Sequence, residues 1–189
     1  MRRRWLGKIP GSSAQGRDGR FEPKRSFRHP RRSDRTKESP KEFATPVIEI
    51  PKDIRDEMVE HAVQGLPNEA CGLLAGIARG GPADVAVEHF YPMSNEDQSP
   101  LTYSLNQHEH ERVVEEIDRK GWELVGVFHS HTHTQAYPSP TDVEKSQGPR
   151  VFYPNANFVL VSLADRARPD VRAYLIGDGG IEEQEVVVR

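Results

Sequence analysis

The sequence contains a single cysteine, Cys71, and no apolar run that approaches the length needed to cross a bilayer. One cysteine excludes a framework of intramolecular disulfides and fits a reducing compartment. The arginine-rich first residues are not followed by a hydrophobic segment, so a secretory signal is not expected. These absences together predict a cytoplasmic protein without a membrane partner.

Positive and negative charges are unevenly distributed along the chain. Residues 1–45 contain 14 Lys and Arg against 5 Asp and Glu, whereas residues 46–189 contain 12 against 24. The first segment also has few apolar residues and no periodicity, so it cannot bury enough surface to offset the entropy lost on ordering. The sequence therefore predicts a disordered basic segment over residues 1–45 and one folded domain over residues 46–189.

The basic segment has three alternative roles. It could bind nucleic acid by neutralising phosphates, although no aromatic-interleaved or base-reading motif accompanies it. It could be an organellar transit peptide, although its 5 acidic residues weaken that interpretation. A solvated tail without a function of its own is the simplest interpretation, so no nucleic-acid partner is expected.

The folded part alternates between strand and helix patterns. Helical spacing of apolar residues predicts helices over residues 52–65 and 106–120. Thr141 is expected to cap a short third helix that carries Asp142 in its first turn. Short apolar runs predict strands over residues 47–50, 71–75, 85–91, 124–128, 158–163, 171–176 and 181–188. The order β-α-β-β-α-β-α-β-β-β predicts an α/β layered domain with a twisted mixed β-sheet flanked by helices.

The segment His129-Ser130-His131 follows the fourth predicted strand. Two histidines at i and i+2 of an extended segment point to the same side, so their imidazoles can converge on one ion. A short loop over residues 132–138 can bring the Asp142 carboxylate round as a third ligand. Three protein ligands leave a fourth tetrahedral position for water, which is typical of a catalytic zinc. We therefore predict one Zn²⁺ per chain.

Glu69 and Ser139 supply the remaining groups that hydrolysis requires. Glu69 lies at the entrance to a strand, where a carboxylate can accept a proton from water and later return it to a leaving group. The Ser139 hydroxyl, three residues before Asp142, can donate a hydrogen bond to an oxyanion or terminate the turn, and the two roles are compatible.

These residues resemble the pattern of the JAMM, or MPN-plus, metalloproteases. In that pattern a distant Glu precedes His-x-His, then seven residues, then Ser-x-x-Asp. The matching positions are Glu69, His129, His131, Ser139 and Asp142. The resemblance covers nearly all of residues 46–189. It implies a JAB1/MPN-like fold, zinc bound by the two histidines and the aspartate, Glu69 as general base and acid, and Ser139 as oxyanion stabiliser.

Within this family the chain is most similar to the compact bacterial branch. Residues 68–76, 136–139 and 158–162 resemble bacterial sulfur-carrier-protein-cysteine peptidases, which release cysteine from the C-terminus of a small ubiquitin-like carrier protein. The resemblance implies such a carrier as the substrate, because the chain has little room for insertions that grip polyubiquitin. The tail of the carrier is expected to lie extended beside a sheet edge. The sequence is compatible with a homodimer but does not fix the oligomeric state.

Other residues could also bind a metal or act as a nucleophile. His133 continues the alternation after His131, but the family pattern does not use it. Cys71 could be a ligand or a nucleophile, although a small apolar residue in a buried strand explains it equally well. His108 and His110 lie among glutamates and fit a polar helix face better than a second metal site.

Three classes of function are compatible with this pattern. The leading one is a zinc peptidase or isopeptidase, with a deubiquitinase-like enzyme on another ubiquitin-like conjugate as its variant. A zinc deaminase would need a Pro-Cys-x-x-Cys signature, which a single cysteine rules out. A non-catalytic MPN-minus scaffold usually lacks ligands of the motif, whereas this chain retains all of them.

Overall fold

The computed structural model describes residues 47–81, 84–153 and 155–189. The predicted disordered segment over residues 1–45 lies outside these residues. No helix among the described residues is long and apolar enough to cross a membrane. The elements are, in chain order, β1 (Val47–Ile50), α1 (Lys52–Gly65), β2 (Cys71–Gly81), β3 (Asp84–Met93), α2 (Gln107–Lys120), β4 (Glu123–His131), α3 (Pro140–Phe152), β5 (Asn157–Ser162), β6 (Asp170–Gly177) and β7 (Gly180–Val188).

Each predicted helix and strand is present, but several ends differ. β4 includes both histidines instead of ending before them. The prediction that Thr141 caps a short third helix is wrong, because α3 has 13 residues and begins at Pro140. Proline is favoured at the first helical position, since its φ is preset and its missing N–H needs no partner there. The cap therefore falls on Ser139, whose Oγ accepts a hydrogen bond from the Asp142 amide.

The strands form one mixed sheet that closes into a barrel in the order β1-β3-β2-β4-β5-β6-β7. The closure depends on β1, where Ile48 pairs in parallel with Val85 of β3 and with Val186 of β7. The α/β character and the mixed sheet agree with the prediction. The closure of the sheet into a barrel was not predicted, because local periodicity does not show which strands pair. Pairing between distant strands is set by the whole fold and not by any one segment.

Alternate residues of β2 point to opposite faces of the sheet, and each face packs against a helix. Leu74 belongs to a buried cluster with Ile54 and Met58 of α1. Its neighbour Leu73 belongs to a second cluster that contains Val113 of α2. This alternation follows from the two-residue period of a strand. The sheet is therefore covered by α1 on one face and by α2 on the other.

Gly72 and Gly76 lie within β2 and do not bound it. A Cβ atom on Gly72 would lie 2.5 Å from the carbonyl oxygen of Tyr91, and one on Gly76 would lie 1.9 Å from that of Ala86. Both distances are far below van der Waals contact, so these positions require glycine. The close approach of β2 to β3 thus explains why glycine occupies both positions.

Candidate functional site

The two histidines of the motif lie at the end of β4, which is paired on both sides. His129 pairs with Cys71 of β2 and with Leu160 of β5, so its backbone is held by two neighbouring strands. His129 and His131 are both buried, and their ring centroids lie 5.1 Å apart. The spacing of two residues places both imidazoles on one side of the strand, as the sequence predicts.

Asp142 reaches the histidines from the first turn of α3. Its Oδ2 accepts a hydrogen bond of 2.7 Å from the Ser139 amide, while its own amide donates to Ser139 Oγ at 3.2 Å. This reciprocal pair is a capping box with an aspartate in the third helical position. The cap therefore holds the Asp142 side chain at the helix start, where it faces β4.

The three side chains converge at one point. Asp142 Oδ1 lies 3.4 Å from His129 Nε2, and Asp142 Oδ2 lies 3.3 Å from His131 Nε2. One ligand atom from each residue lies within 4.8 Å of the other two. Ligands about 2.0–2.2 Å from a tetrahedral zinc are spaced well within that limit. The structure thus brings together the three residues that the sequence proposes as ligands.

The buried nitrogens of these histidines fit a metal ion. Among the described residues, neither ring nitrogen of His129 has a hydrogen-bond partner, although the side chain is fully buried. His131 Nδ1 lies 2.8 Å from the Gln135 carbonyl oxygen, so Nδ1 carries the proton and Nε2 presents its lone pair. Such a hydrogen bond orients a metal-binding histidine in many zinc sites. A cation between the three groups would satisfy both Nε2 atoms.

The charges at the site also favour a cation. Burial favours the neutral acid of Asp142, but its contacts with His129, His131 and Ser139 hold the pKa of its carboxyl well below its ordinary value. Burial lowers the pKa of His129, which keeps that imidazole neutral. For His131 burial acts in the same direction, yet the Asp142 carboxylate outweighs it and raises the pKa. One carboxylate and two imidazoles thus form a donor set suited to a divalent ion.

Glu69 lies immediately before β2 and is held through its neighbour Ala70. The Ala70 amide donates to Ser130 Oγ at 2.8 Å, and the Ser130 amide donates to the Ala70 carbonyl oxygen at 2.9 Å. Ser130 stands between the two histidines, so these bonds fix Glu69 beside the cluster. Glu69 is buried with Oε2 unpartnered among the described residues, and burial raises the pKa of its carboxyl from 4.5 to about 7.

A polar loop between β3 and α2 completes the site, and the sequence pattern does not predict its role. In this β3–α2 loop (residues 94–106), the Ser99 carbonyl oxygen accepts a hydrogen bond from the Glu69 amide at 2.9 Å. The Asn95 side chain donates to the Glu69 carbonyl oxygen at 2.9 Å. The Tyr103 ring stacks on His129 at 4.6 Å between centroids. A tyrosine in a largely polar, aperiodic segment is the one sequence signal that could have indicated this role.

The other candidate ligands do not join this group. Among the described residues, the cluster contains only His129, His131 and Asp142, and His133 is exposed. Cys71 is buried and donates to the Met93 carbonyl oxygen at 3.7 Å. Burial raises the pKa of its thiol to about 12, so it is not a thiolate nucleophile at neutral pH.

His108 and His110 lie on α2 and are not part of any group of metal-binding side chains among the described residues. His108 is exposed, and His110 is partly exposed with its ring 6.2 Å from that of Tyr153. The polar helix face that the sequence favours for this pair therefore agrees with the structure.

A family model described as prokaryotic homologs of the JAB domain matches residues 51–177, which include all five motif residues. The chain belongs to this family. The match confirms the resemblance to JAMM proteins that the sequence motif indicates, and it covers the barrel from the start of α1 to the end of β6.

Members of the JAB-domain family with assigned activities include similar proteins from bacteria and archaea. A CysO-cysteine peptidase of Mycobacterium tuberculosis is 39% identical over 142 residues, which cover 75% of this chain and 91% of that protein. A desampylase of Haloferax volcanii is 32% identical over 111 residues, which cover 56% and 77% of the two chains. The solution structure of a Desulfitobacterium hafniense protein superposes with a TM-score of 0.67 at 38% identity, covering 76% of this chain and 93% of that one.

Proposed function

We propose that this protein is a zinc-dependent peptidase that hydrolyses a peptide or isopeptide bond at the C-terminus of a small ubiquitin-like sulfur-carrier protein. The observation that carries the proposal is the convergence of His129, His131 and Asp142 beside a buried Glu69. The two imidazoles and the single carboxylate match the donors of catalytic zinc sites. A bound zinc ion would polarise the scissile carbonyl and lower the pKa of an attacking water.

Glu69 transfers the proton in this scheme. Its carboxyl, with a pKa of about 7, can take a proton from water and return it to the departing amine near neutral pH. The side chain has no competing hydrogen bond at Oε2 among the described residues. The same group therefore serves as base in the first half of the reaction and as acid in the second.

Ser139 stabilises the developing negative charge on the carbonyl oxygen. Its Oγ accepts a hydrogen bond from the Asp142 amide, which leaves the hydroxyl hydrogen free to be donated. The side chain is partly exposed and lines a cavity of about 590 Å³ that also contacts His131. A hydroxyl at this position can reach an oxyanion without losing its role as the helix cap.

The substrate class is inferred from the relatives and from this cavity. A CysO-cysteine peptidase and a desampylase are among the similar proteins, and the alignment with the first covers 75% of this chain and 91% of that protein. The cavity is lined in part by Tyr137, Pro138 and Ile181, and it adjoins His131 and Ser139. Such an apolar cavity beside the proposed reaction centre can hold one side of the scissile bond. We infer that the released group is cysteine.

A second candidate substrate is another ubiquitin-like conjugate, as the 32% identity to a desampylase suggests.

The proposal also includes a folded domain over residues 46–189. It includes a cytoplasmic location as well, which the single cysteine supports. Whether the chain acts as a homodimer is tested separately by sedimentation of the purified protein.

The experiment is mass spectrometry of products from a panel of the host's small ubiquitin-like proteins, each carrying a C-terminal cysteine or an isopeptide-linked lysine. We expect loss of cysteine from one carrier in the presence of zinc and no loss after chelation. Glu69→Gln, which keeps the shape of the side chain, is the matched control for contaminating proteases. Cleavage that persists in chelated protein or in Glu69→Gln at the wild-type rate contradicts the proposal.

A further inference from the structure

Lys145 joins the helix of the third proposed ligand to the β3–α2 loop. It lies on α3, three residues after Asp142, and its ammonium group donates to Asp97 Oδ2 at 2.8 Å and to the Tyr103 carbonyl oxygen at 2.7 Å. The ammonium group also donates a third hydrogen bond to the hydroxyl oxygen of Thr102. All three ammonium hydrogens of Lys145 therefore bond to one segment of seven residues.

The segment that Lys145 holds also contacts both halves of the proposed reaction centre. The Ser99 carbonyl oxygen accepts the amide hydrogen of Glu69, and the Tyr103 ring covers one face of His129. Thr132, directly after the second histidine, donates to the Pro100 carbonyl oxygen at 3.3 Å. The β3–α2 loop thus lies across the site, and Lys145 is its attachment to α3.

An ordinary surface ion pair would not hold the β3–α2 loop in place. Exposed lysine–carboxylate pairs contribute little to stability, because water screens the charges and two long side chains lose freedom. Lys145 differs because two of its three bonds go to a main-chain carbonyl and a hydroxyl of the loop. Removing it therefore leaves the loop without these attachments to α3.

We propose that Lys145 is a positioning residue, which fixes Glu69 by holding the β3–α2 loop across the site. The role rests on the proposed function, in which Glu69 transfers the proton. Lys145 does not touch the reacting atoms in this account. Its removal should lower kcat while KM and the affinity for zinc stay near those of the wild type, because strand pairing holds the two histidines in β4 and the Ser139 amide holds Asp142.

The test compares hydrogen exchange at two adjacent amides in zinc-loaded full-length protein, measured by NMR. The Glu69 amide is bonded to Ser99 of the loop, whereas the Ala70 amide is bonded to Ser130 of β4. In Lys145→Met we expect about tenfold faster exchange at Glu69 and no change at Ala70. The kcat for carrier cleavage should fall by about tenfold as well.

The matched control is Lys120→Met. Lys120 also has an ion pair, with Glu116 at 3.0 Å, and it lies 4.6 Å from the centre of the Trp122 ring, as Lys145 lies 6.0 Å from that of Tyr103. Lys120 lies at the end of α2, and neither of these two contacts of Lys120 involves the β3–α2 loop. Both amides and kcat should keep their wild-type values in this variant.

Asp97→Asn gives a second route if Lys145→Met fails to fold. It weakens the same attachment from the loop side, and it should accelerate exchange at the Glu69 amide in the same way. In the double variant the effects should be less than additive, since both changes break one interaction.

Three results would overturn the proposal. Unchanged exchange at Glu69 would show that Lys145 does not hold the loop, and equal acceleration at Ala70 would show general loosening of the fold. Zinc loss in Lys145→Met would show that the residue acts on Asp142. If the wild type cleaves no carrier, the proposed function fails, whereas the exchange data still decide whether Lys145 fixes Glu69.

Discussion

Ala70 and Ser130 exchange two hydrogen bonds, one from the Ala70 amide to Ser130 Oγ at 2.8 Å and one from the Ser130 amide to the Ala70 carbonyl oxygen at 2.9 Å. Ala70 follows Glu69, and Ser130 stands between His129 and His131. The residue that transfers protons in our proposal is thus tied by its backbone to the strand that carries two proposed ligands.

Ser130→Ala should therefore reduce activity without removing the metal. The Ala70 amide would lose its side-chain acceptor in a buried position, which costs about 1–3 kcal/mol of stability. Ser146→Ala is the control, because this buried serine donates its hydroxyl hydrogen to the Val143 carbonyl oxygen within α3. We expect both variants to melt earlier but only Ser130→Ala to lower kcat. An equal kcat in the two variants would argue against a role of this contact in catalysis.

Glu69→Gln should lower kcat by about 100-fold or more, because glutamine cannot take up the proton. Zinc content should stay at the wild-type level, since Glu69 is not among the three proposed ligands. Steady-state kinetics with metal analysis of the same sample checks both parts. Wild-type turnover by a fully loaded Glu69→Gln protein would exclude the assignment.

The raised pKa of Glu69 predicts a specific dependence of stability on pH in the metal-free protein. Because the folded-state pKa is about 7 and the ordinary value is 4.5, the folded state binds the extra proton between these values. The stability that this protonation contributes is present below pH 4.5 and is lost as the pH rises through 7. Glu69→Gln removes the effect, so it should gain stability over wild type on going from pH 5 to pH 8.

We expect this gain to be on the order of 2 kcal/mol in urea denaturation, with chelator present. The difference between the two proteins reports the titration of Glu69 together with its effect on His131, whose pKa the Glu69 carboxylate helps to raise. A difference that stays constant from pH 5 to pH 8 would show that the carboxyl of Glu69 titrates normally.

Ser139→Ala should have two separable consequences. Loss of the helix cap should destabilise the protein by about 1 kcal/mol, and loss of the hydroxyl donor should lower kcat by about 100-fold. Ser139→Thr keeps both the cap and the hydroxyl, so it serves as the matched control. If Ser139→Ala melts earlier but turns over at the wild-type rate, the residue is a cap alone.

Cys71→Ala should leave turnover close to that of the wild type. The thiol is buried, its pKa is raised to about 12, and its one hydrogen bond to the described part of the chain is a long contact with the Met93 carbonyl oxygen. Progress curves with and without a thiol-alkylating reagent check the same point in the wild type. Loss of turnover in a folded Cys71→Ala protein would indicate that the thiol takes part in catalysis.

The ligand cluster could be predicted from the sequence because its members are close in the chain. The spacing of two residues in a strand aligns His129 and His131, and a loop of fixed length returns Asp142. Glu69 precedes His129 by 60 residues in the sequence, so its place beside the cluster depends on the pairing of β2 with β4. That pairing is a tertiary property, and only the family resemblance indicated it.

Other features could not be predicted for related reasons. The barrel closes through β1, a strand of four residues whose two partners are distant in sequence. The β3–α2 loop has no periodicity, so apart from the aromatic residue Tyr103 nothing in its sequence indicates that Asn95, Ser99 and Tyr103 contact the site. The sequence predicts Thr141 as the helix cap, whereas α3 begins at Pro140 and Ser139 is the cap, because proline is favoured at the first helical position.

The central claim is that His129, His131 and Asp142 bind one divalent ion, and zinc titration of metal-free protein tests it most directly. We expect one zinc per wild-type chain and an affinity at least about 100-fold lower in His129→Ala and Asp142→Asn, since loss of outer contacts alone costs 10–100-fold. His133→Ala, which changes an exposed histidine two residues beyond the cluster, should bind like the wild type. Full zinc occupancy with unchanged affinity in His129→Ala would contradict the account.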